Sequence, residues 1–317
     1  VNLDDGDNVL NASAYTGTIT VSITEALADA SADTHNITGG TGTADEILIT
    51  ADGTGIDNTD MSTFTRFEKL TVANNASTGT IVLSNASVAD GSTLTVNSSA
   101  ITTATNTFTL DASAETDGIF VVTGSAGIDT ITMTQSNLAD NLSLGGANDI
   151  IYVATDKLTS IDTINGGDGT DTLSYTSDEV IILADFTNKS NLEAVTSANG
   201  VQITGNLGAL AATAGIVTVT FNDDGDGDNL VIDSAFNNAL RVNLDDGDNV
   251  LNASAYTGTI TVSITEAIAN DASDTHAITG GTGTADEIVL TATGAGIDTT
   301  DMSTFTGFEK LTVANNA

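Results

Sequence analysis

Short runs in which apolar and polar residues alternate recur along the whole chain, roughly every 9 to 14 residues. Gly, Asp, Asn and Ser separate these runs, and the runs themselves are rich in Thr, Val and Ile, which suit a pleated surface. The pattern predicts an all-β chain; only residues 27–30 (LADA) and 207–214 (LGALAATA) suggest single helical turns. The predicted strands are residues 18–23, 46–50, 70–73, 80–84, 93–97, 107–111, 119–123, 130–133, 150–153, 172–175, 180–183, 201–204, 217–221 and 230–233.

Two architectures fit many short strands: an elongated parallel β-solenoid and a string of β-sandwich domains. The even spacing, the Gly/Asp/Asn turns without Pro and an aromatic content of only 4% favour the solenoid, whose thin core Ile, Leu and Val can fill. With about 22 residues per coil and about 4.8 Å between strands, 241 residues would form about 11 coils, roughly 50 Å long.

The chain repeats itself at an offset of 241 residues. Residues 242–267 are identical to residues 1–26, and the match continues with scattered changes to positions 76 and 317, both times ending in FEKLTVANNA. We therefore predict one β-rich repeat over 1–241 and the start of a second, near-identical one over 242–317. Tandem copies of this length are typical of very large fibres, adhesins and coats, so we expect the sequence to be a segment of a longer protein.

The charge of the chain is extreme, because 43 acidic residues face 6 basic ones and give a formal net charge of −37. Such a field repels phosphates, which excludes nucleic acid as a partner, and it strains the compact state unless cations bind. No apolar run is long enough to predict a membrane span. Zero Cys excludes a disulfide framework, although calcium can replace disulfides as a clamp outside a cell.

Residues 166–174 read GGDGTDTLS and match the calcium-binding nonapeptide G-G-x-G-x-D-x-U-x at every fixed position. Glycine lets backbone carbonyls turn toward an ion, a carboxylate supplies charge, and the apolar position ties the loop to the core. Because one loop supplies half a site, partner loops are expected in adjacent coils. The candidate ligands of this loop are Gly166, Gly167, Asp168, Gly169 and Asp171.

Degenerate versions of the same loop occur elsewhere, with Asp two residues before an apolar position or with several Asp around glycines. They run through a block at about 124–174 and recur outside it. Their candidate metal ligands are Asp162, Asp149, Asp129, Asp45, Asp286, Asp4, Asp5, Asp7, Asp223, Asp224, Asp226, Asp228, Asp245, Asp246 and Asp248.

These motifs resemble the repeats-in-toxin (RTX) family, in its surface-layer and giant-adhesin branch. The resemblance is carried by residues 166–174, by residues 110–134 (LDASAETDGIFVVTGSAGIDTITMT) and by the recurring FEKLTV. It implies a secreted, extracellular or cell-surface protein that binds several Ca²⁺ ions and builds coats or tethers. Only one nonapeptide is complete, whereas toxin blocks run the motif back to back.

No catalytic motif accompanies these loops, and we expect no enzyme. The two histidines, His35 and His276, are one position in two copies, expected on the surface or in a turn. The sequence predicts a calcium-stabilised structural segment of a surface layer, filament or sheath, whose partners are copies of itself, with cell-surface polysaccharide as a second candidate. The alternative is an adhesin stalk or a domain binding glycan, ice or another surface, which aligned Thr pairs at 18–20, 93–95, 107–109 and 130–132 would favour.

Overall fold

The chain is nearly all-β, and its parallel sheets form a β-solenoid of about 11 turns, as the sequence predicted. A computed structural model describes residues 1–3, 7–24, 35–50, 63–73, 78–222, 227–244, 247–265, 276–291 and 302–314. Contacts divide the chain into two compact units, one of residues 1–152 and 161–171, the other of residues 153–160 and 172–317. No helix in the described part of the chain is long and apolar enough to cross a membrane.

In the first unit the strands alternate between two sides of the coil. Strands β2, β4, β6, β8, β10, β12 and β14 are stacked in that order in one sheet, with β1, β3 and β5 in a second and β7, β9, β11 and β13 in a third. Their bounds are β1 Val9–Asn11, β2 Thr20–Ile23, β3 Asn36–Thr38, β4 Glu46–Ile49, β5 Phe64–Thr65, β6 Lys69–Val72, β7 Thr80–Val82, β8 Thr93–Asn97, β9 Thr107–Asp111, β10 Ile119–Thr123, β11 Ile128–Thr132, β12 Asn141–Gly146, β13 Ile150–Val153 and β14 Thr163–Asp168.

The second unit repeats this arrangement with two sheets, in the orders β15-β18-β20-β22-β24-β26-β28 and β16-β19-β21-β23-β25-β27. One 3-10 turn, Leu183–Phe186, and one short helix, α1 Ala209–Ala214, interrupt the strands. The bounds are β15 Thr172–Tyr175, β16 Glu179–Ile181, β17 Lys189–Ser190, β18 Ala194–Ser197, β19 Ile203–Leu207, β20 Thr218–Thr220, β21 Asn229–Ile232, β22 Leu240–Asn243, β23 Val250–Asn252, β24 Ile260–Ile264, β25 Ala277–Thr279, β26 Glu287–Leu290, β27 Phe305–Thr306 and β28 Lys310–Val313.

Strand register gives the length of a coil directly. Leu240 pairs with Ile260, 20 residues on, and Thr20 pairs with Glu46, 26 residues on, which brackets the predicted 22. Side chains alternate along each strand, so that in β8 Leu94 is buried and its neighbours face outward. The core is therefore the thin interior of the coil, filled mainly by Ile, Leu and Val.

Several strands were missed because they contain glycine or asparagine instead of β-branched residues. Strand β12 reads NLSLGG and β14 reads TINGGD, so the glycines at 166 and 167 belong to a strand as well as to the turn that follows. Residues 207–214 do include a helical turn, α1, which ends at Gly215 with a φ of 115°. Residues 27–30 lie outside the described residues.

The two histidines were expected on the surface or in a turn, and the surface expectation was wrong, although both do lie outside a strand, directly before β3 and β25. His35 and His276 are both buried, and each ring packs edge-on against an aromatic ring, Phe64 at 6.5 Å and Phe305 at 6.3 Å between centroids. Asn8 Nδ2 lies 3.3 Å from His35 Nδ1. A histidine between polar residues looks like a turn residue in sequence, but the coil places it over the ring of the next coil.

The repeat itself suggests a stabilising substitution. Arg66 has a φ of 63°, in the left-handed region that costs a residue with a Cβ about 1–2 kcal/mol, and its copy in the second repeat is Gly307, with a φ of 74°. We expect Arg66→Gly to raise the free energy of unfolding by about 1 kcal/mol, after the entropy cost of glycine is deducted. Chemical denaturation measures it; Gly307→Arg is the reciprocal control and should destabilise, and a loss of stability in Arg66→Gly would contradict the argument.

Candidate metal-binding turns

The complete nonapeptide lies in a stack of three turns, residues 124–129, 144–149 and 166–171, hereafter the turn stack. Strand pairing sets its register, because Gly145 lies beside Gly167 and Gly146 beside Asp168. Backbone and side-chain bonds tie the turns together: Gly146 N donates to Ser125 O at 3.2 Å, and Thr170 N donates to Asn148 Oδ1 at 2.9 Å. The structure thus brings the predicted loop and two of its degenerate partners into adjacent coils.

Glycine is needed in the turn stack because successive backbones nearly touch. Gly167 has a φ of 112° and Gly169 a φ of 144°, and a Cβ at either position would overlap a backbone carbonyl of the turn below, Gly145 O or Ala147 O. At the equivalent position of the middle turn, Ala147 adopts a φ of 73° despite its Cβ. The glycine pattern therefore has a packing reason besides any metal, and it leaves carbonyl oxygens lining the stack.

An aspartate ends each turn of the stack, and all three are buried. Asp149 Oδ1 accepts a hydrogen bond from Asp129 N at 2.8 Å, and Asp171 Oδ1 accepts one from Asp149 N at 2.8 Å. Asp129, the first of the series, accepts bonds from the amide and the hydroxyl of Ser125, each at 2.8 Å. Asp149 and Asp171 thus each cap the backbone of the coil before, whereas Asp129 caps the backbone of its own turn.

Like charges accumulate in this column. Burial, together with the neighbouring carboxylates Asp129 and Asp171, raises the pKa of Asp149 from 3.8 to about 8. Burial raises the pKa of Asp129 to about 6, with a further contribution from Asp171. The second oxygen of Asp149, Oδ2, is buried and has no hydrogen-bond partner among the described residues. A buried acceptor without a donor costs free energy, and so does repulsion between neighbouring carboxylates. A bound cation or a proton would reduce both costs.

The same cap recurs in other coils of each unit. Its acceptor is an acidic or amide side chain directly before a strand, and its donor is the amide at the matching position one coil earlier. Of the predicted residues, Asp45 caps Ile19, Asp162 caps Asp140, Asp228 caps Ile203 and Asp286 caps Ile260. Four further caps were not predicted from the sequence: Glu68 caps Asp45, Asp140 caps Phe120, Asn249 caps Asp228 and Glu309 caps Asp286. The signal was available, since each missed residue also stands two positions before a leucine, which is buried in three of the four cases and exposed at Leu311.

Glu115 is a further buried acid that no motif indicated. Its Oε1 accepts bonds from three successive backbone amides, Thr116, Asp117 and Gly118, at 2.9 to 3.0 Å. Its Oε2 is buried without a partner among the described residues, and burial raises its pKa. Burial also raises the pKa of Asp140 to about 6, with contributions from Asp162 and Glu115.

The remaining predicted ligands lie elsewhere. Asp168, Asp7 and Asp248 are exposed. Seven candidates lie outside the described residues: Asp4, Asp5, Asp223, Asp224, Asp226, Asp245 and Asp246. Within the described ranges, no three side chains of His, Cys, Asp or Glu converge on a common point that could hold a metal ion. A calcium ion in the turn stack would therefore depend on backbone carbonyls and one or two carboxylates, as the nonapeptide pattern requires.

The raised pKa of Asp149 predicts a pH dependence in the absence of divalent cations. Between its ordinary value of 3.8 and about 8, the folded chain keeps a proton on Asp149 that the unfolded chain releases. Stability in chelator should therefore fall as the pH rises through this window. Urea denaturation at pH 5, 7 and 9 measures the slope. Asp149→Asn should flatten it while Asp90→Asn, at an exposed site, should not; an equal slope in Asp149→Asn would contradict the assignment.

The fold and the turn stack are supported by the sequence and structure of this chain alone. Comparison with models of protein families, with curated proteins and with solved structures gave no match.

Proposed function

We propose that this chain is a calcium-stabilised, repetitive structural segment of an extracellular protein that forms a surface layer, filament or sheath. In this role the turn stack binds Ca²⁺, and the regular coils present the same surfaces at regular intervals. Such surfaces allow a polymer or lattice to form from individually weak contacts.

The observation that carries the calcium proposal is the column of Asp129, Asp149 and Asp171. Three buried carboxylates follow one another in adjacent coils, and Asp149 Oδ2 has no donor within the described residues. A hard divalent cation prefers carboxylate and carbonyl oxygens, and the turn stack offers both. Bound there, Ca²⁺ would supply the positive charge that the 6 basic residues of the chain cannot.

We further propose that the chain is not an enzyme. Its buried acids are held by backbone amides, as in Asp171 with Asp149 and Glu115 with three successive N–H groups. Carboxylates fixed in this way support the coil, and their hydrogen bonds would be lost if they acted on a substrate. The proposal therefore places every buried acid of the turn stack in a structural role.

The alternative, a surface-binding adhesin domain, has one observation in its favour. Thr80, Thr109 and Thr130 are register partners and form a short outward column on one sheet. The column ends at Ile150, and the pair at 93–95 belongs to β8 in a different sheet. A column of three threonines is weaker support for surface binding than the column of three carboxylates is for calcium binding.

Assembly in calcium tests the proposal. We expect the chain to form ordered sheets or filaments at millimolar Ca²⁺ and to dissolve when Ca²⁺ is chelated, because divalent ions offset a net charge of −37. Light scattering and negative-stain electron microscopy across a calcium titration measure this, with NaCl of equal ionic strength as the control. A chain that stays folded and strictly monomeric at millimolar Ca²⁺ would count for the adhesin stalk instead.

A further inference from the structure

The six-stranded sheet of the second unit has an open side at β16, in the middle of the chain. Its order starts at β16, whose one partner among the described strands is β19. In the preceding coil, residues 154–162 contain turns and no strand. A cavity of about 330 Å³ lies between these turns and β16, and all its lining residues belong to the second unit. We call it the β16 cavity.

The outward amides of β16 already have acceptors. Alternate residues of a parallel strand bond to opposite sides, and Glu179 N donates to Gln202 O on the side of β19. On the side of the cavity, Val180 N donates to Glu179 Oε1 at 2.9 Å and Ile182 N donates to Asp185 Oδ2 at 2.7 Å. An added strand would have to displace both carboxylates, so the side chains of the lining decide what the cavity can hold.

The lining of the β16 cavity is acidic. Asp156, Glu179 and Asp185 contribute three carboxyl groups, and the lining residues include no basic side chain. Burial, together with the charges of Glu179 and Asp156, raises the pKa of Asp185 to about 6. Lys189 offsets only part of this rise, and its Nζ donates to the backbone oxygen of Thr159 at 2.8 Å. A positively charged group in the cavity would therefore be favoured.

A buried hydroxyl beside these acids is a second and independent observation. Tyr175 is 0% exposed, and its hydroxyl has no hydrogen-bond partner among the described residues. Burial raises the pKa of Tyr175, and the charges of Asp185 and Glu179 add to the rise, so its hydroxyl lies close to two carboxyl groups of the lining. An ammonium group has three N–H donors and no acceptor, which matches a surface of carboxylate and phenol oxygens.

The mouth of the cavity is apolar. Val180 is 61% and Ile182 54% exposed, and both line the cavity together with the buried Leu158. A bare metal ion would gain nothing from these walls, and within the described ranges no three acidic or histidine side chains converge on a point that could hold one. An alkyl chain ending in an ammonium group would instead contact the apolar walls along its stem and place its charge near the acids.

From these features we infer that the β16 cavity binds the primary ammonium end of an alkyl chain, as carried by a free diamine or by a lysine side chain. Three carboxyl groups would repel an anion, and a neutral sugar would leave their charge unopposed. The site goes beyond the proposed structural role and shares no residue with the turn stack.

The test titrates the full chain with cadaverine by isothermal calorimetry, in about 0.15 M NaCl to screen the net charge of −37. Pentanediol, which has the same carbon chain without charge, is the control ligand, and Nα-acetyl-lysine amide represents a lysine side chain. Asp156→Asn and Asp185→Asn each remove one lining charge; Asp156 is exposed, and Asp185→Asn keeps an acceptor for Ile182 N, so the fold should survive. Asp90→Asn removes the same charge from an exposed site in the first unit.

We expect one saturable cadaverine site per chain, no binding of pentanediol, and about tenfold weaker binding in Asp156→Asn and Asp185→Asn with none lost in Asp90→Asn. Binding of the lysine amide would identify the ligand as a lysine side chain, and binding of cadaverine alone would identify it as a free diamine. The comparison of cadaverine with pentanediol in the wild type decides the inference even where a variant unfolds, which circular dichroism would show.

Absence of saturable cadaverine binding, equal binding of pentanediol, or an equal loss in Asp90→Asn would each overturn the inference. The titrations are repeated in millimolar Ca²⁺ and in chelator. Cadaverine binding that is present in chelator and abolished by Ca²⁺ would assign the cavity to a metal ion and would also overturn it. Because the turn stack is a separate site, calcium-dependent melting of the same samples tests the proposed function independently.

Discussion

Chelation of calcium is expected to lower the melting temperature of the folded chain by about 10 °C if two sites of the turn stack are filled. Binding that exists only in the folded state adds to the free energy of unfolding, by about 2.7 kcal/mol for a site held at a hundredfold excess over its Kd. The column of Asp129, Asp149 and Asp171 makes the effect large, because removing the cation also restores repulsion between buried acids. Thermal melts followed by circular dichroism measure it.

Two controls separate ligation from screening. A chain with a net charge of −37 gains some stability from any salt, so NaCl at equal ionic strength sets the baseline. Mg²⁺ demands tighter octahedral geometry and gives up its water reluctantly, so it should restore less stability than Ca²⁺. An unchanged β-signal and melting temperature in excess chelator would remove the calcium proposal.

The second large effect is expected at Asp171, whose side chain caps the backbone amide of Asp149 and is also a proposed calcium ligand. Asp171→Ala leaves the buried amide of Asp149 without its acceptor, which should cost about 1–3 kcal/mol with or without calcium. It should also abolish the calcium-induced rise in melting temperature. Asp171→Asn keeps an acceptor oxygen, as Asn249 does when it accepts from Asp228 N at 3.2 Å.

The asparagine variant therefore distinguishes the two roles. In chelator its stability should equal or exceed that of the wild type, because one buried charge is gone, whereas its gain from calcium should shrink. Asp90→Ala removes the same charge from an exposed site and should change neither quantity by more than about 0.5 kcal/mol. Isothermal titration of calcium and urea denaturation measure both. Equal calcium stoichiometry in the wild type and Asp171→Asn would show that Asp171 is a cap alone.

The alternation of residues predicted the solenoid well where strands are made of β-branched residues. The bounds of β8, β9, β10, β13 and β15 agree with prediction to the residue, because an inward apolar residue recurs there at every second position. Strands such as β12 and β14 were missed because pairing with neighbouring coils, which is not a local property, holds their Gly and Asn residues in the sheet.

The candidate residues were predicted by the D-x-U part of the nonapeptide pattern, in which an Asp stands two positions before an apolar residue. The Asp of D-x-U marked Asp129, Asp149 and Asp171 correctly as members of one column, because a fixed coil length returns them to the same corner. Glu68 and Asn249 occupy equivalent positions but were missed, because neither is the Asp that the nonapeptide pattern specifies. The sequence cannot show the direction of a side chain, and direction decides between cap and ligand.

The carboxylate caps give the coil a polarity. A cap between coils binds the amide of the earlier coil, as Glu68 does with Asp45 and Asp45 with Ile19, so the backbone of a coil is fully hydrogen-bonded only when the next coil is in place. Loss of a coil from the C-terminal side leaves a buried backbone amide of the preceding coil without its acceptor. Loss of a coil from the N-terminal side leaves a carboxylate that water can solvate. In a nearest-neighbour array of this kind, unfolding should therefore begin more readily at the N-terminal coil and advance toward the C-terminus, which amide exchange would record as a gradient of protection.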